Sequence, residues 1–497
     1  MALDDILKIL ENNNHDLSGE YADIEPQETI VYVTPPVDGD ITAEYSGGEE
    51  DVTLANLPGS QLLSPAIQGG MESDIESTEP IKTRKSSITK RSKKKVRHWS
   101  ENDLHFDAPD LQYPFRPSSA VVLRKPYEVF ELFLDVEAIE LLTKETVHYA
   151  IQRGKHNFTL SSDEMRVFVG ILLLSGYNTV ARRRLYWQNS PDTHNELVSH
   201  SIRRNRFDTI MTYFHNANNL EISKVDRFAK VRPLLNVVNR NFLQYGSVFG
   251  PTELSIDESM IQYYGRHPTK QLIRGKPIRW GYKVWVIASP SGYAFQIDLC
   301  QGKMEQDDSN KYRDQFGLGG AVVLNFVDIM ENNYPGQRFS FYFDNFFSSV
   351  SLLEELKRRG HGAIDTLRSN RLDCPFSYGK KFTKTQRGTM EYFCENDANV
   401  ILVRWNDNSV LHVGSNEHRV QPFKQVERYS ASAKKIIKEP MPNIVSKYNA
   451  NMGGVDRLDQ NVSAYCIAIR GKKWYFPVIS YLINVCVTNS WMFARRG

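Results

Sequence analysis

Four aspartates occur where a solvated surface role does not readily explain them. Asp257 follows the alternating segment ELSI, and Asp344 follows three alternating phenylalanines in RFSFYFDNFF. Asp456 and Asp459 are three residues apart in GGVDRLDQ, so on a helix they share one face. A carboxylate among apolar side chains is costly to bury unless something pairs with it. We therefore expect the three segments to converge on one acidic pocket.

Converging carboxylates repel each other, and burial adds to the cost. Hard divalent cations such as Mg²⁺ or Mn²⁺ relieve this repulsion because they prefer carboxylate oxygen. Two such ions, about 4 Å apart, can activate a water or hydroxyl and stabilise the leaving oxygen of a phosphodiester. Residue types and spacing therefore favour a metal-dependent enzyme acting on nucleic acid.

Three of the four aspartates also have a structural explanation. Asp257 is expected as a turn residue, Asp344 as a helix N-cap, and Asp456 as a first-turn acid favoured by the helix dipole. Any one of them alone is better explained this way. Three such acids, each at the end of an apolar segment in a basic protein, favour the metal site.

The charge of the chain is strongly asymmetric. Residues 1–80 contain 18 Asp and Glu and a single Lys, a formal charge of −17. Because the whole chain of 497 residues carries +2, residues 81–497 carry +19. A body this basic indicates a polyanionic partner, of which nucleic acid is the commonest, although a solubilising surface charge is the alternative.

The sequence does not indicate a zinc site, a signal peptide or a membrane-spanning helix. The five cysteines form no CxxC pair, so no zinc site is expected. Scattered cysteines of this kind fit a reducing compartment. The start MALDDILKIL is acidic and is not a signal peptide. The apolar run at 475–493 contains Ser and Asn, which favours a buried core helix over a membrane span.

Hydrophobic periodicity predicts an α/β protein behind an acidic, disordered tail. Residues 1–98 form that tail, which ends in a basic run, and residues 119–252 are helical. Within this helical region, Ser161 and Glu164 have the spacing of a capping box before an apolar run. Strands, a hairpin and helices follow over 253–368, with Ser289 to Gly292 as the turn of the hairpin. Residues 369–440 are predicted as a separate β-rich insertion, after which the core resumes over 441–464 and a helical segment fills 465–497.

Two basic clusters are candidates for DNA contact or nuclear localisation. The first lies in KRSKKKVR before the folded body, and the second lies at a predicted helix start, where a charged outer face is the alternative role. Their members are Lys90, Arg91, Lys93, Lys94, Lys95 and Arg97, then Arg203, Arg204 and Arg206.

Long segments of the chain resemble the piggyBac transposases and the cellular proteins derived from them. They include LSIDESMIQYYGRHPTKQLIRGKPIRWGYKVWVIA, YFDNFFSSVSLLEELKRRG and YNANMGGVDRLDQNVSAYCIAIRGKKWYFPVISYLINVCVTNSW. RNRFDTIMTYFHNANN and VFVGILLLSGYN match the family upstream. The resemblance extends from about residue 120 to residue 493.

The resemblance implies an RNase H-like catalytic core with an insertion domain and a flanking helical dimerisation and DNA-binding domain. It implies that Asp257, Asp344 and Asp456 are catalytic, that Asp459 joins them in holding two Mg²⁺ or Mn²⁺ ions, and that Trp474 supports a DNA hairpin step. The implied partners are a second copy of the chain and DNA, such as transposon terminal repeats joined at TTAA targets. The implied compartment is the nucleus.

The family usually ends in a cysteine-rich, zinc-binding domain, which we do not expect within these residues. Three hypotheses follow. The chain is a DNA-binding protein that retains its catalytic site, a non-enzymatic chromatin or transcription adaptor, or a truncated form with little activity. The acidic tail is expected to bind protein partners or to compete with DNA for the basic surface.

Overall fold

The computed structural model describes most of the chain after residue 96. The described ranges are 31–33, 66–68, 97–104, 125–223, 225–249, 252–273, 276–302, 311–372, 374–376, 382–430 and 434–495. The chain divides into two units, and in the first, which comprises residues 1–95 and 274–277, the described strands β1 (Val31–Val33) and β2 (Ala66–Gln68) pair antiparallel. Apart from these two strands and residues 97 and 98, the predicted disordered tail of residues 1–98 lies outside the described residues, so it stays a prediction.

The second unit begins with helices. They are α1 (Pro126–Phe133), α2 (Val136–Gln152), α3 (Ser162–Leu174), α4 (Glu196–Ser201), α5 (Arg204–Tyr213) and α6 (Arg232–Gly246). The predicted capping box of α3 is confirmed: Ser161 Oγ accepts from Glu164 N at 3.1 Å, and the Glu164 carboxylate accepts from Ser161 N at 3.2 Å. This reciprocal pairing satisfies two backbone donors that the helix cannot satisfy itself.

One large mixed sheet forms the body of the unit. Its strands are β3 (Trp99–Ser100), β4 (Glu253–Gln262), β5 (Lys270–Leu272), β6 (Trp280–Ala288), β7 (Ala294–Leu299), β8 (Ser340–Phe343), β9 (Gly362–Thr366), β10 (Met390–Glu395), β11 (Val400–Asn406) and β12 (Val410–Ser415). The spatial order is β3-β10-β11-β12-β9-β8-β4-β6-β5, and β7 also pairs with β6. The strands β4, β8 and β9 run parallel at its centre.

The expected separate insertion is not a separate sheet. The strands β10, β11 and β12 form where the sequence predicts strands, but β12 pairs with β9 through Val413 opposite Thr366 and Ser415 opposite Ile364. They therefore extend the central sheet. A distinct two-stranded ribbon is formed instead by β13 (Lys424–Ser430) and β14 (Lys435–Met441).

Five more helices cover the sheet and join it to the helical region. They are α7 (Arg313–Asn333), α8 (Val350–Arg358), α9 (Asn443–Asn451), α10 (Gly454–Ala464) and α11 (Phe476–Ala494). The helix α7 contains a break at Gly317, whose φ is +72°. The predicted hairpin turn between β6 and β7 is confirmed by the hydrogen bond from Gly292 N to Ser289 O, at 2.9 Å.

The apolar helix α11 is a core element. Among the described residues it is the helix with the length and hydropathy of a membrane span, yet 78% of its apolar window is buried inside the protein. Phe493 of α11 packs edge-on against Phe133 of α1, with ring centroids 5.8 Å apart. Burial of this helix joins the sheet and the helical region into one hydrophobic core.

Candidate acidic site

Parallel pairing of β4 and β8 brings the first two aspartates to neighbouring positions. Ser255 lies opposite Tyr342 and Ile256 opposite Phe343, so the next position on each chain is Asp257 and Asp344. The expectation that Asp257 ends its strand is wrong. Pairing with β6 carries β4 on to Gln262, and β8 is the strand that stops. The two carboxylates therefore meet where the sheet loses a strand from one side of β4.

Asp344 begins a tight turn. Its Oδ1 accepts a hydrogen bond from Phe346 N at 2.9 Å, and its carbonyl oxygen accepts from Ser348 Oγ at 2.6 Å. The helix N-cap is Ser349, whose Oγ accepts from Leu352 N at 3.2 Å, so the expected capping role of Asp344 is wrong. The side chain fixes the chain direction after β8 in the way that aspartate stabilises turns.

Several carboxylates influence the hydroxyl group of Tyr448, which lies on α9. Burial raises its pKa, and the negative charges of Asp344, Asp257 and Asp365 raise it further, in that order. A phenol loses its proton less easily near anions, so these three carboxylates lie near enough to the Tyr448 hydroxyl to influence it. The sequence did not point to Tyr448, because a tyrosine in a helical pattern is typical of a core position.

Asp365 is a second residue that the sequence analysis missed. It lies on β9 opposite Phe343 and is fully buried. Burial raises its pKa well above the usual range, and the nearby Asp344 raises it further. These effects favour the neutral carboxylic acid, which has the lower desolvation cost. The only sequence signal was an acid inside the apolar segment GAIDTL.

Helix α10 brings the remaining aspartates to the same face of β4. A Cβ atom on Gly454 would lie 2.4 Å from Ser255 Oγ, so the helix start touches the strand. One turn later, Asp459 Oδ1 accepts a hydrogen bond from Ser259 Oγ at 2.6 Å. Since alternate strand residues share a face, Ser255, Asp257 and Ser259 all point toward α10. Asp456 lies between these contacts along the helix and is exposed.

The donor set is oxygen-rich, which suits a hard divalent cation. Asp257, Asp344 and Asp459 are half-buried, so their oxygens remain partly accessible. Within the described ranges, however, no three His, Cys, Asp or Glu side chains are placed as a metal-holding group. The structure therefore brings the predicted residues to one region of the sheet without assembling a closed set of ligands.

Comparison with known proteins identifies the family of the chain. The family model described as transposase IS4 matches residues 125–491. PiggyBac transposable element-derived protein 3 of Homo sapiens is 37% identical over 488 residues, covering 94% of this chain and 81% of that protein. The chain belongs to the piggyBac transposable element-derived protein family.

A second relative agrees with this membership, and a solved structure has a similar fold. PiggyBac transposable element-derived protein 2 of Homo sapiens is 35% identical over 481 residues, covering 94% of this chain and 78% of that protein. The fold is similar to that of a piggyBac transposase solved in a synaptic complex with hairpin DNA, with a TM-score of 0.61 at 21% identity over 76% of each chain. The predicted family and the mixed α/β class are confirmed.

The basic residues singled out in this piggyBac-type chain are placed differently from one another. Lys90, Arg91, Lys93, Lys94 and Lys95 lie outside the described residues. Arg97 Nε lies 2.9 Å from Glu354 Oε1, and its side chain is 9% exposed, so it is engaged within the protein. Arg206 is engaged with Glu164 at 2.7 Å and stands over the Phe158 ring. Arg203 and Arg204 are exposed.

Trp474 lies in the loop before α11 rather than in the helix. Its ring is 4.3 Å from that of His267 and 6.1 Å from that of Phe228, and its carbonyl oxygen accepts from Tyr282 Oη at 3.3 Å. It is half-buried. Contacts with His267, Phe228 and Tyr282 therefore fix the position of the Trp474 ring.

Proposed function

We propose that this chain is a nuclear, transposase-derived DNA-binding protein that retains a three-aspartate metal site and nicks and joins DNA at element ends. The observation that carries the proposal is the parallel register of β4 and β8, which makes Asp257 and Asp344 neighbours. Membership of a transposase-derived family supports it, as does the charge of +19 on residues 81–497. In this proposal the central sheet is the RNase H-like core and the helical region serves dimerisation and DNA binding.

Asp257, Asp344 and Asp456 would hold two divalent ions, with Asp459 as an additional ligand. When bound, the ions would supply an activated oxygen nucleophile and stabilise the leaving oxygen of the phosphodiester. The protein's own part is orientation. The backbone NH of Phe346 fixes one oxygen of Asp344, and Ser259 fixes one oxygen of Asp459. Held carboxylates lose little entropy when a ligand arrives.

The experiment is a comparison of the full chain with its Asp344→Ala variant on supercoiled plasmid carrying TTAA sites, with Mg²⁺ or Mn²⁺ present. We expect the variant to lose metal-dependent nicking by at least about a hundredfold while keeping its circular dichroism spectrum. Asp314→Ala, which changes an exposed acid in the first turn of α7, is the matched control. Equal nicking by the Asp344→Ala variant and wild type would overturn the catalytic assignment.

Calorimetric titration of Mg²⁺ or Mn²⁺ into the same proteins tests the metal site directly. We expect heat of binding for wild type and the Asp314→Ala control and its loss for Asp344→Ala. DNA phosphates complete many such sites, so the titration is repeated with duplex DNA present. If nicking and metal binding are both absent under all conditions, the catalytic assignment is wrong and only the DNA-binding part of the proposal remains.

A second candidate is a non-enzymatic DNA-binding adaptor in chromatin or transcription. The observation that favours it is the chain of hydrogen bonds from Tyr481 Oη to Ser259 Oγ, at 3.3 Å, and from Ser259 to Asp459. This chain gives Asp459 a structural role inside the protein. The adaptor requires that Asp344→Ala leave DNA affinity unchanged, and cleavage abolished by that substitution would exclude it.

A further inference from the structure

Two lysines face the same tyrosine ring near the loop that precedes α11. Lys473 Nζ lies 5.7 Å from the centroid of the Tyr475 ring, and Lys230 Nζ lies 5.9 Å from it. Lys473 Nζ also stands 4.7 Å from the Tyr149 ring and donates to Phe214 O at 2.8 Å. Two ammonium groups are thus gathered at one place by the helical region and the loop.

No carboxylate neutralises this pair among the residues that the structure describes. The pKa of Lys230 is lowered by burial, and the pKa of Lys473 is lowered to about 8 by burial and then by Lys230. Lys311 shows the contrast, because a hydrogen bond to Tyr312 and then its ion pair with Asp328, at 3.0 Å, raise its pKa. Adjacent cations without an anion repel each other, and a bound anion would relieve the repulsion.

The two lysines are partly accessible to solvent. Lys230, Lys473 and Tyr149 are all half-buried, so a ligand can reach them from solvent. Arg470 and Lys472 are exposed on the same loop, which extends the positive charge to the surface. A cluster of this kind focuses field lines on an anion, and lysine binds phosphate as a compact point charge.

We propose that Lys230 and Lys473 form a binding site for a phosphate group of the DNA backbone. The choice of DNA as the source of the phosphate rests on the proposed function. The evidence for the site itself is that both lysines lie at the Tyr475 ring and that no carboxylate among the described residues pairs with them. It lies beside Trp474, whose ring packs against Phe228 two residues before Lys230.

The experiment measures the affinity of the full chain for a random-sequence duplex oligonucleotide as a function of salt concentration. The Lys230→Gln/Lys473→Gln variant is expected to reduce the slope of log K against log salt by about one, the effect of losing one phosphate contact. Lys230→Gln alone is also measured, because Lys473 holds the Phe214 carbonyl and its loss could affect folding. Lys473→Arg should keep the slope of wild type, since arginine keeps the charge.

Lys144→Gln is the matched control, because Lys144 is exposed on α2 and stands outside the cluster. A slope unchanged in both the single and the double variant, with wild type binding DNA, would overturn this inference and leave the proposed function intact. Wild type that does not bind DNA would overturn the proposed function.

In that case, thermal unfolding measured with and without inorganic phosphate tests whether the two lysines form a phosphate site. Stabilisation against heat by inorganic phosphate in wild type and Lys144→Gln, absent from both variants lacking Lys230, would identify a site for free phosphate. Equal stabilisation in all four proteins, or none in any, would overturn the site itself.

Discussion

Asp344 is held among aromatic side chains by the turn that it begins. Its carboxylate accepts from the backbone of Phe346, and its carbonyl oxygen accepts from Ser348. Around it stand Asp257, the buried Asp365 and the hydroxyl of Tyr448. The composition of the turn was visible in the sequence as DNFFSS, but the residues across the sheet were not.

His215 shows at the same scale how burial couples stability to pH. Its Nδ1 is 2.6 Å from Tyr475 Oη, its side chain is 1% exposed, and burial lowers its pKa to about 4. In the unfolded chain this histidine becomes protonated below about pH 6.5, whereas in the native protein it becomes protonated only below about pH 4. Stability is therefore lost as the pH falls through this window, by up to about 3 kcal/mol for this residue.

The measurement is urea denaturation of wild type and His215→Asn between pH 7 and pH 4. The variant, although less stable at pH 7, should lose less stability on acidification, because its side chain does not titrate. His200→Asn, at an exposed position of α4, should keep the acid sensitivity of wild type. The idea is wrong if His215→Asn and His200→Asn show the same pH dependence.

At the scale of elements, the contact between α10 and β4 is what brings Asp459 to the acidic site. A Cβ on Gly454 would lie 2.3 Å from Ser289 O, closer than any real contact, whereas a Cβ on Gly453 would have nothing within 4 Å. Neighbouring glycines therefore have different roles. One permits close packing of the helix on the sheet, and the other lies in open space.

Gly454→Ala should push α10 away from the strand and destabilise the protein by about 2 kcal/mol, the usual cost of overpacking. It should also weaken any metal binding, because Asp459 moves with the helix. Gly453→Ala should leave both properties near wild type. Thermal unfolding and metal titration of the two variants check this, and equal effects of the two substitutions would contradict it.

At the scale of the whole molecule, the pairing of β12 with β9 makes one sheet of two regions that the sequence presents as separate. The side chain of Asn416 strengthens this junction. Its Oδ1 accepts from Ala363 N at 2.7 Å, and its Nδ2 donates to Leu353 O at 2.9 Å. Because this amide is buried, its hydrogen bonds would be costly to break.

The strands β10, β11 and β12 should therefore unfold together with β4, β8 and β9. Hydrogen exchange measured by mass spectrometry across a urea series should give the same protection for peptides from both sets. Asn416→Ala should uncouple them, so that the first set opens at lower urea. Early opening of β10–β12 in wild type would show that they behave as an independent domain.

The sequence by itself determined the features that depend on neighbouring residues. The capping box of α3, the turn between β6 and β7, the strands β10 to β12 and the family membership all follow from short segments. Local backbone preferences and hydrogen bonds between residues a few positions apart are encoded within such segments. Asp257 and Asp344 were singled out for the same reason, as acids beside apolar runs.

The tertiary structure decided everything that depends on pairing between distant segments. The full length of β4 depends on β6, the neighbourhood of Asp257 and Asp344 on β8, and the place of β12 on β9. Tyr448 and the lysines Lys230 and Lys473 acquired their significance only from what packs around them. Strand order and burial are global properties, and the sequence of a short strand does not specify its partner.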